Sequence, residues 1–179
     1  MQAIIDAVRS GRLPAHLEVV ISNNRESRAL QRARDAGVRA VHLSSATHPD
    51  PAALDAAILG TLREFGVDTV FLAGYMKKLG PAVLGAYAGR IFNTHPALLP
   101  KHGGQGMYGN RVHAAVLAAN EAETGASIHL VEADYDTGRV VAQCRVPVLA
   151  TDSVETLAAR VQERERELVV DTLAKLAAG

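Results

Sequence analysis

Short apolar runs and helical segments alternate along most of this 179-residue chain, and this alternation limits the possible folds more than any other feature. Strands are predicted from the apolar runs at 17–21, 38–43, 69–73 and 90–94. Helices are predicted for the segments between them, at 27–36, 51–65 and 81–87. Strands that alternate with helices form βαβ units, so the pattern predicts an α/β fold around a mostly parallel sheet.

The C-terminal half continues the alternation after a glycine-rich segment at 102–110, which is predicted to be a mobile surface loop. A helix is predicted at 112–119, strands at 127–131 and 140–148, and a long final helix at 153–178 that Ser153 can cap. Because no repeat, low-complexity segment or linker interrupts the chain, residues 1–179 are predicted to form a single domain.

Charge and cysteine usage exclude several classes of protein. The 19 basic and 19 acidic side chains balance, so no overall field favours nucleic acid or an anionic membrane. The single cysteine, Cys144, excludes an intramolecular disulfide and fits a reducing compartment. No apolar run approaches the roughly 18 residues of a membrane span, and the first residues lack the basic start of a signal peptide. A cytoplasmic location is therefore expected.

Polar side chains with catalytic potential lie where the strand at 90–94 ends. Asn93 and His95 are two residues apart, so on extended chain they project to one face. Ligands of open α/β sheets bind beyond the carboxyl ends of strands. An asparagine can donate to a developing oxyanion, and a histidine can move protons near neutral pH. Spacing alone leaves an ordinary strand end with a turn about equally plausible.

A carboxylate to orient this histidine is available in the acidic segment 132–138, where Asp134 and Asp136 are candidates. Without other information, the better interpretation is that both are turn residues that bond their own backbone. His129 lies in an apolar strand and is predicted to be a buried, satisfied histidine. No histidine or cysteine spacing fits a metal site, so no metal is expected. The glycines between 103 and 109 match no phosphate-binding motif and are predicted to form a lid.

Several ordered motifs together resemble the phosphoribosylglycinamide formyltransferases. The first two are Leu-Ala-Gly-Tyr-Met-Lys-Lys-Leu at 72–79 and Phe-Asn-Thr-His-Pro-Ala-Leu-Leu-Pro-Lys at 92–101. Further matches are Gly-Met-Tyr-Gly at 106–109 with Val-His at 112–113, Glu-Thr-Gly-Ala-Ser-Ile-His at 123–129 and Asp-Tyr-Asp-Thr-Gly at 134–138. Each motif is weak alone, but their order covers essentially the whole chain.

The resemblance implies a Rossmann-like formyltransferase fold with an antiparallel strand near the C-terminus. It implies that the formyl group of 10-formyltetrahydrofolate, used as a co-substrate, passes to the amine of glycinamide ribonucleotide in purine biosynthesis. Asn93 matches the asparagine that bonds the formyl oxygen, and His95 the histidine that handles protons. Asp136 matches the aspartate that tunes this histidine and organises water.

The resemblance also implies binding residues and partners. The folate-binding positions are Met76, Lys77, Lys78, Leu79, Asn93, Glu132, Ala133, Asp134, Tyr135 and Asp136. Gln162 and Glu165 match residues that contact the nucleotide. Pro51 stands where relatives often carry an arginine for the folate tail. The expected partners are small molecules, without nucleic acid or membrane, and the expected assembly is a monomer or homodimer.

The start of the chain departs from the family pattern. Residues 2–8 predict a helix with no strand before it, whereas family members begin with a strand and a glycine-rich phosphate loop. An N-terminally truncated domain is therefore expected. Methionyl-tRNA formyltransferase, which adds a nucleic-acid-binding domain, fits poorly because this chain is not basic. Two alternatives remain open: formyltetrahydrofolate deformylase, a hydrolase with the same triad, and a folate-binding module that is inactive because the phosphate loop is missing.

Overall fold

The computed structural model describes residues 1–178, and it contains every helix and strand that the sequence predicts. The strands are β1 (Val19–Ser22), β2 (Arg39–His42), β3 (Val70–Leu72), β4 (Ile91–His95), β5 (Glu123–Leu130) and β6 (Val140–Pro147). The helices are α1 (Gln2–Arg9), α2 (Arg28–Asp35), α3 (Pro51–Glu64), α4 (Pro81–Ala86), α5 (Asn110–Ala118) and α6 (Val154–Ala177).

The strands pair in both directions. β1 and β2 form a parallel pair, and the other four strands form a sheet in the order β3-β4-β5-β6. β3 and β4 are parallel, whereas β5 runs antiparallel to both β4 and β6. Parallel strands joined through helices and antiparallel strands near the C-terminus are the α/β arrangement that the sequence predicts.

β5 begins at Glu123, four residues before the predicted start. The segment 123–126 has no apolar run, so its sequence alone gives no strand signal. It is extended because it pairs with β6, with Thr124 opposite Val146 and Ala126 opposite Cys144. Tertiary pairing therefore decides the conformation of these residues.

β4 is buried on both faces, and this burial fixes its position in the sheet. Ile91 packs in one apolar cluster with Val83 of α4 and Ile58 of α3. Phe92, the next residue, packs in a second cluster with Ile128 and Val169, the latter from α6. Alternating side chains of a strand point to opposite faces, so helices cover both sides of β4.

In the described part of the chain, the helices are all too short or too polar to span a bilayer.

Helix α4 is held at its first turn by a carboxylate from α3. The Asp55 side chain is buried and accepts hydrogen bonds from the backbone N–H groups of Ala82 (2.7 Å) and Val83 (3.2 Å). These amides belong to the unpaired donors at a helix N-terminus. Asp55, from α3, thus caps the N-terminus of α4.

Replacing Asp55 by alanine is expected to lower the free energy of unfolding by about 1–3 kcal/mol, because the buried N–H of Val83 and the partly buried N–H of Ala82 lose their acceptor. Urea denaturation followed by circular dichroism measures the loss. Asp50→Ala is the matched control: Asp50 caps α3 from its own exposed N-terminus, where water can replace the lost acceptor. An equal or larger loss for Asp50→Ala would contradict the role given to buried capping.

Candidate active site

The carboxyl end of β4 presents polar side chains to both faces of the sheet. Asn93 and His95 share one face, and Thr94 between them takes the other. The Thr94 hydroxyl donates to the Glu165 carboxylate of α6 at 2.7 Å. Strand β4 therefore separates an Asn93–His95 face from a face that holds Glu165.

A second histidine joins this site from β5. His129 lies directly opposite Asn93 in the antiparallel register, so both side chains project to the same face. Asn93 Nδ2 lies 3.1 Å from His129 Nε2, and His129 Nδ1 lies 2.8 Å from the backbone oxygen of Leu130. His129 is 2% exposed, and both ring nitrogens face protein groups. It is buried, as the sequence predicts, but it also contacts Asn93, which the sequence reasoning missed.

Asp136 brings a carboxylate between the two imidazoles. Its Oδ2 lies 3.4 Å from His95 Nδ1, and its Oδ1 lies 3.3 Å from His129 Nε2. The Asp136 backbone has a φ of 57°, a left-handed conformation that aspartate tolerates better than most residues. The backbone N–H of Gly104 donates to Oδ2 at 2.9 Å and holds the carboxylate in place. We call Asn93, His95, His129 and Asp136 the catalytic cluster.

Acceptors flank both nitrogens of the His95 ring. Nε2 lies 2.8 Å from the backbone oxygen of His102, and Nδ1 faces the Asp136 carboxylate. Burial lowers the pKa of His95 below its ordinary value, although the Asp136 charge and the His102 carbonyl act to raise it. The lowered pKa favours the neutral ring, and the His102 carbonyl favours its proton on Nε2, so a proton that binds Nδ1 would face the Asp136 carboxylate.

The Asp136 carboxylate stays ionised in this environment. Burial acts to raise its pKa. Hydrogen bonds from His129 and the Gly104 amide, together with the charges of the nearby imidazoles, outweigh burial and lower the pKa below its ordinary value. The cluster thus combines a fixed negative charge with two imidazoles, which together can hold and move one proton.

The glycine-rich loop contacts the cluster through its backbone. The oxygen of His102 and the N–H of Gly104 bond His95 and Asp136, and a Cβ atom on Gly103 would meet Asp136 Cβ at 3.3 Å. His102 lies in this loop, as the sequence predicts, and its side chain is only 16% exposed and contacts Glu121. Any residue can make contacts through its backbone, so the residue types at 102 and 104 do not predict these bonds. The glycine at 103 is a signal, because glycine allows the loop backbone to approach Asp136 closely.

A narrow cleft opens beside the catalytic cluster. Its walls are formed by Leu72, Tyr75, Lys77, Lys78, Asn93, His129 and residues 131–136. Its volume is about 50 Å³. Within its wall, Lys78 Nζ pairs with Asp134 Oδ1 at 3.1 Å and lies 5.0 Å from the centre of the Tyr135 ring. Both charged groups are exposed, so this bridge contributes only about 0–1 kcal/mol.

A larger groove, of about 700 Å³, lies elsewhere on the surface. It is wide open and is lined by Arg34, Arg39 and Phe65 among others, near the amino ends of β1 and β2. Ligands of α/β sheets bind at the carboxyl ends of strands, and none of the four cluster residues lines this groove. The narrow cleft is therefore the stronger candidate, despite its smaller volume.

The structure brings together many, but not all, of the predicted site residues. Asn93, His95 and Asp136 converge, and of the two carboxylates left open Asp136 faces the imidazoles whereas Asp134 is exposed. The cleft wall includes Lys77, Lys78, Glu132, Ala133, Asp134, Tyr135 and Asp136. Met76 is 48% exposed and Leu79 packs, partly buried, against the apolar cluster that contains Ile91, and neither side chain lines the cleft. Gln162 and Glu165, on α6, also lie outside it.

Known formyltransferases are similar to this chain in sequence and in fold. A sequence model of the formyl transferase family matches residues 1–173. The phosphoribosylglycinamide formyltransferase of Escherichia coli K12 is 36% identical over 168 residues, which cover 94% of this chain and 77% of that protein. A chloroplastic one from Vigna unguiculata is 40% identical over 98% of this chain, which spans only 56% of that protein. The crystal structure of glycinamide ribonucleotide transformylase 1 from Symbiobacterium toebii superposes with a TM-score of 0.92 at 38% identity, covering 99% of this chain and 82% of that one.

Proposed function

Because the chain belongs to the formyl transferase family, as a relative of the phosphoribosylglycinamide formyltransferases, we propose that it transfers a formyl group from 10-formyltetrahydrofolate to the amine of glycinamide ribonucleotide. This reaction is a step of purine biosynthesis. The observation that carries the proposal is the convergence of Asn93, His95 and Asp136 beside one cleft at the carboxyl end of β4.

The reaction needs one donor to an oxyanion and one site for a proton. The amine nitrogen forms a bond to the formyl carbon, and the formyl oxygen gains negative charge that an Asn93 N–H stabilises. The amine then loses a proton, and the bond from the formyl carbon to folate N10 breaks as N10 gains one. Water beside Asp136 carries the proton to His95 Nδ1 and back to N10.

The environment of His95 suits this temporary storage. The ring is neutral at rest because burial lowers its pKa, so it can accept the proton of the amine. Once charged, it donates from Nδ1 to Asp136 and from Nε2 to the His102 oxygen. Both N–H groups of the imidazolium then have acceptors, which stabilises the charged intermediate relative to the resting state.

The folate is proposed to bind between the segment 76–79 and the segment 132–136. Backbone groups can read a pteridine, so the exposed Met76 side chain and the core position of Leu79 are compatible with binding through their main chains. Gln162 and Glu165 are proposed to bind the nucleotide. The single-domain organisation of residues 1–179, the cytoplasmic location and the assembly as monomer or homodimer stay predictions from the sequence.

Turnover with and without the nucleotide tests the proposal. We expect tetrahydrofolate to be released from 10-formyltetrahydrofolate only when glycinamide ribonucleotide is present, with one formylated amine formed per tetrahydrofolate. Equal release without the nucleotide, with formate as product, would identify a hydrolase. Folate binding without either product would identify a binding module.

Thr94→Val is expected to raise KM for the nucleotide by about tenfold with little change in kcat or in folate affinity. The Thr94 hydroxyl orients the Glu165 carboxylate, and one hydrogen bond to a charged group contributes about 1.5–3 kcal/mol. Steady-state kinetics with each substrate varied in turn measures the effect. Thr61→Val, which removes a hydroxyl bonded within α3, is the control. A larger effect on folate KM than on nucleotide KM would contradict the assignment of Glu165.

A further inference from the structure

A carboxylate outside the catalytic cluster contacts the start of the glycine-rich loop. Glu121 lies in the short connection between α5 and β5, and its side chain is 22% exposed. Lys101 Nζ donates to both of its oxygens, at 3.0 Å to Oε1 and 2.9 Å to Oε2. His102 Nε2 lies 3.3 Å from Oε1. The side chains of two consecutive residues are therefore bound to one acidic group on a different element.

The backbone of the same loop supports the catalytic cluster. The His102 oxygen lies 2.8 Å from His95 Nε2, and the Gly104 N–H donates to Asp136 Oδ2 at 2.9 Å. His102 thus contacts Glu121 through its side chain and His95 through its backbone. A single residue connects the Glu121 carboxylate to the imidazole of the cluster.

The chain just before the loop is fixed by the sheet. The Ser127 hydroxyl of β5 accepts from the Leu99 N–H at 3.0 Å and donates to the Ala97 oxygen at 2.6 Å. Beyond this point the support changes. Apart from one bond within the turn at 98–101, the hydrogen bonds that residues 101–106 make outside their own loop go to the catalytic cluster and to Glu121, in the described part of the chain. Glu121 is therefore the loop's support from outside the cluster.

The backbone around Glu121 is itself well fixed. Its N–H donates to the oxygen of the buried Val116 at 3.3 Å, and the Val148 N–H donates to the oxygen of the next residue, Ala122, at 3.0 Å. The hydrogen bond from the Lys101 ammonium lowers the pKa of Glu121, which keeps the carboxylate ionised at neutral pH. A charged acceptor on a fixed backbone forms stronger hydrogen bonds than a neutral one.

We propose that Glu121 is a positioning residue that holds the loop whose backbone bonds His95 and Asp136. This inference rests on the proposed formyl transfer and extends it to a residue in the connection between α5 and β5. When the Glu121 contacts are lost, the loop spends part of its time in positions where the His102 oxygen and the Gly104 N–H do not reach the cluster. Because the cluster acts in the transition state, kcat carries the loss.

Glu121→Ala tests the role directly. We expect kcat to fall about tenfold, because a smaller fraction of the molecules has the loop in place, while KM for both substrates stays within about threefold. Glu123→Ala is the matched control. It removes a carboxylate two residues further along, which is paired with the exposed Arg145 and not with the loop. Unchanged kcat in Glu121→Ala, or an equal loss in Glu123→Ala, would overturn the proposal.

Glu121→Gln separates position from charge. Glutamine has the same length, can accept from Lys101 and keeps a second polar group within reach of His102, but it carries no charge. We expect kcat to return to within about threefold of the wild type. A loss as large as that of Glu121→Ala would assign the effect to the negative charge near the cluster and overturn the positioning role.

A double variant tests whether the effect passes through the loop side chains. Lys101→Met removes one of the two loop contacts of Glu121 and should lower kcat less than Glu121→Ala does. Combining Lys101→Met with Glu121→Ala should cost no more than Glu121→Ala alone, because both changes remove the same interaction. Additive losses would mean that the two residues act independently and would overturn the proposal.

Hydrogen exchange measures the loop without turnover and keeps this inference separate from the proposed function. In Glu121→Ala we expect the backbone amides of residues 101–106 to exchange about tenfold faster than in the wild type, and those of β5 to be unchanged. Unchanged exchange at 101–106 would overturn the proposal even if formyl transfer occurs. Absence of transfer by the wild type, with the expected acceleration of exchange, would contradict the proposed function and leave the loop support by Glu121 in place.

Discussion

Asp136→Asn is expected to lower kcat by about 10²–10⁴-fold while the Kd for folate changes by less than about threefold. Asparagine has the same shape and tolerates the left-handed backbone at φ 57°, so the fold of the loop is preserved. What disappears is the negative charge that stabilises an imidazolium at His95. Because that charge matters in the intermediate and not in the resting complex, kcat carries the loss.

The pH profile of Asp136→Asn gives a second, independent signature. The Asp136 charge acts to raise the pKa of His95 against the lowering effect of burial. Without that charge, burial lowers the pKa further, so the acid limb of kcat/KM moves to lower pH than in the wild type. The control is Asp171→Asn, which removes an exposed carboxylate paired with Arg12 and should change neither quantity. An acid limb that stays in place or moves to higher pH would contradict the role of Asp136.

The fold was predictable where local signals agree with tertiary structure. Proline at 51 and 81 begins α3 and α4, and Ser153 with Thr156 forms a reciprocal cap at the start of α6. The start of β5 at Glu123 was not predictable, because polar and small residues there are extended only through pairing with β6. Local sequence cannot report a partner that lies more than fifteen residues away.

The site was predictable only in part. The spacing of Asn93 and His95 places them on one face from local geometry alone. The choice between Asp134 and Asp136 came from family resemblance, since both are acidic turn residues. In the structure Asp136 has left-handed backbone and turns its carboxylate inward, whereas the Asp134 side chain is 79% exposed.

The contact of His129 with Asn93 escaped prediction because it depends on strand register. It faces Asn93 only because β5 pairs with β4 with residue 129 opposite residue 93. A shift of one residue would place the ring on the other face of the sheet. The contacts of His102 and Gly104 were missed for a similar reason, since they come from backbone atoms that any residue possesses.

His95→Ala is expected to lower kcat by about 10²–10⁴-fold, with KM for both substrates changed by less than about threefold. In the proposed reaction the His95 ring receives the proton of the attacking amine. Alanine removes this proton acceptor, together with the contact of 3.4 Å between His95 Nδ1 and Asp136 Oδ2. Rapid-quench measurement of a single turnover isolates this step from product release. A rise in KM with unchanged kcat would assign the ring to substrate binding instead.

His95→Gln decides whether the ring acts through its proton or through its position. Glutamine can donate to the His102 oxygen as His95 Nε2 does, and so can hold the loop, but it has no ionisation near neutral pH. If proton storage is the role, His95→Gln loses as much kcat as His95→Ala. The matched control is His113→Gln, which alters another histidine that is 2% exposed and should keep kcat within about threefold. Recovery of most of the wild-type kcat in His95→Gln would mean that loop position, and not proton transfer, is what the imidazole supplies.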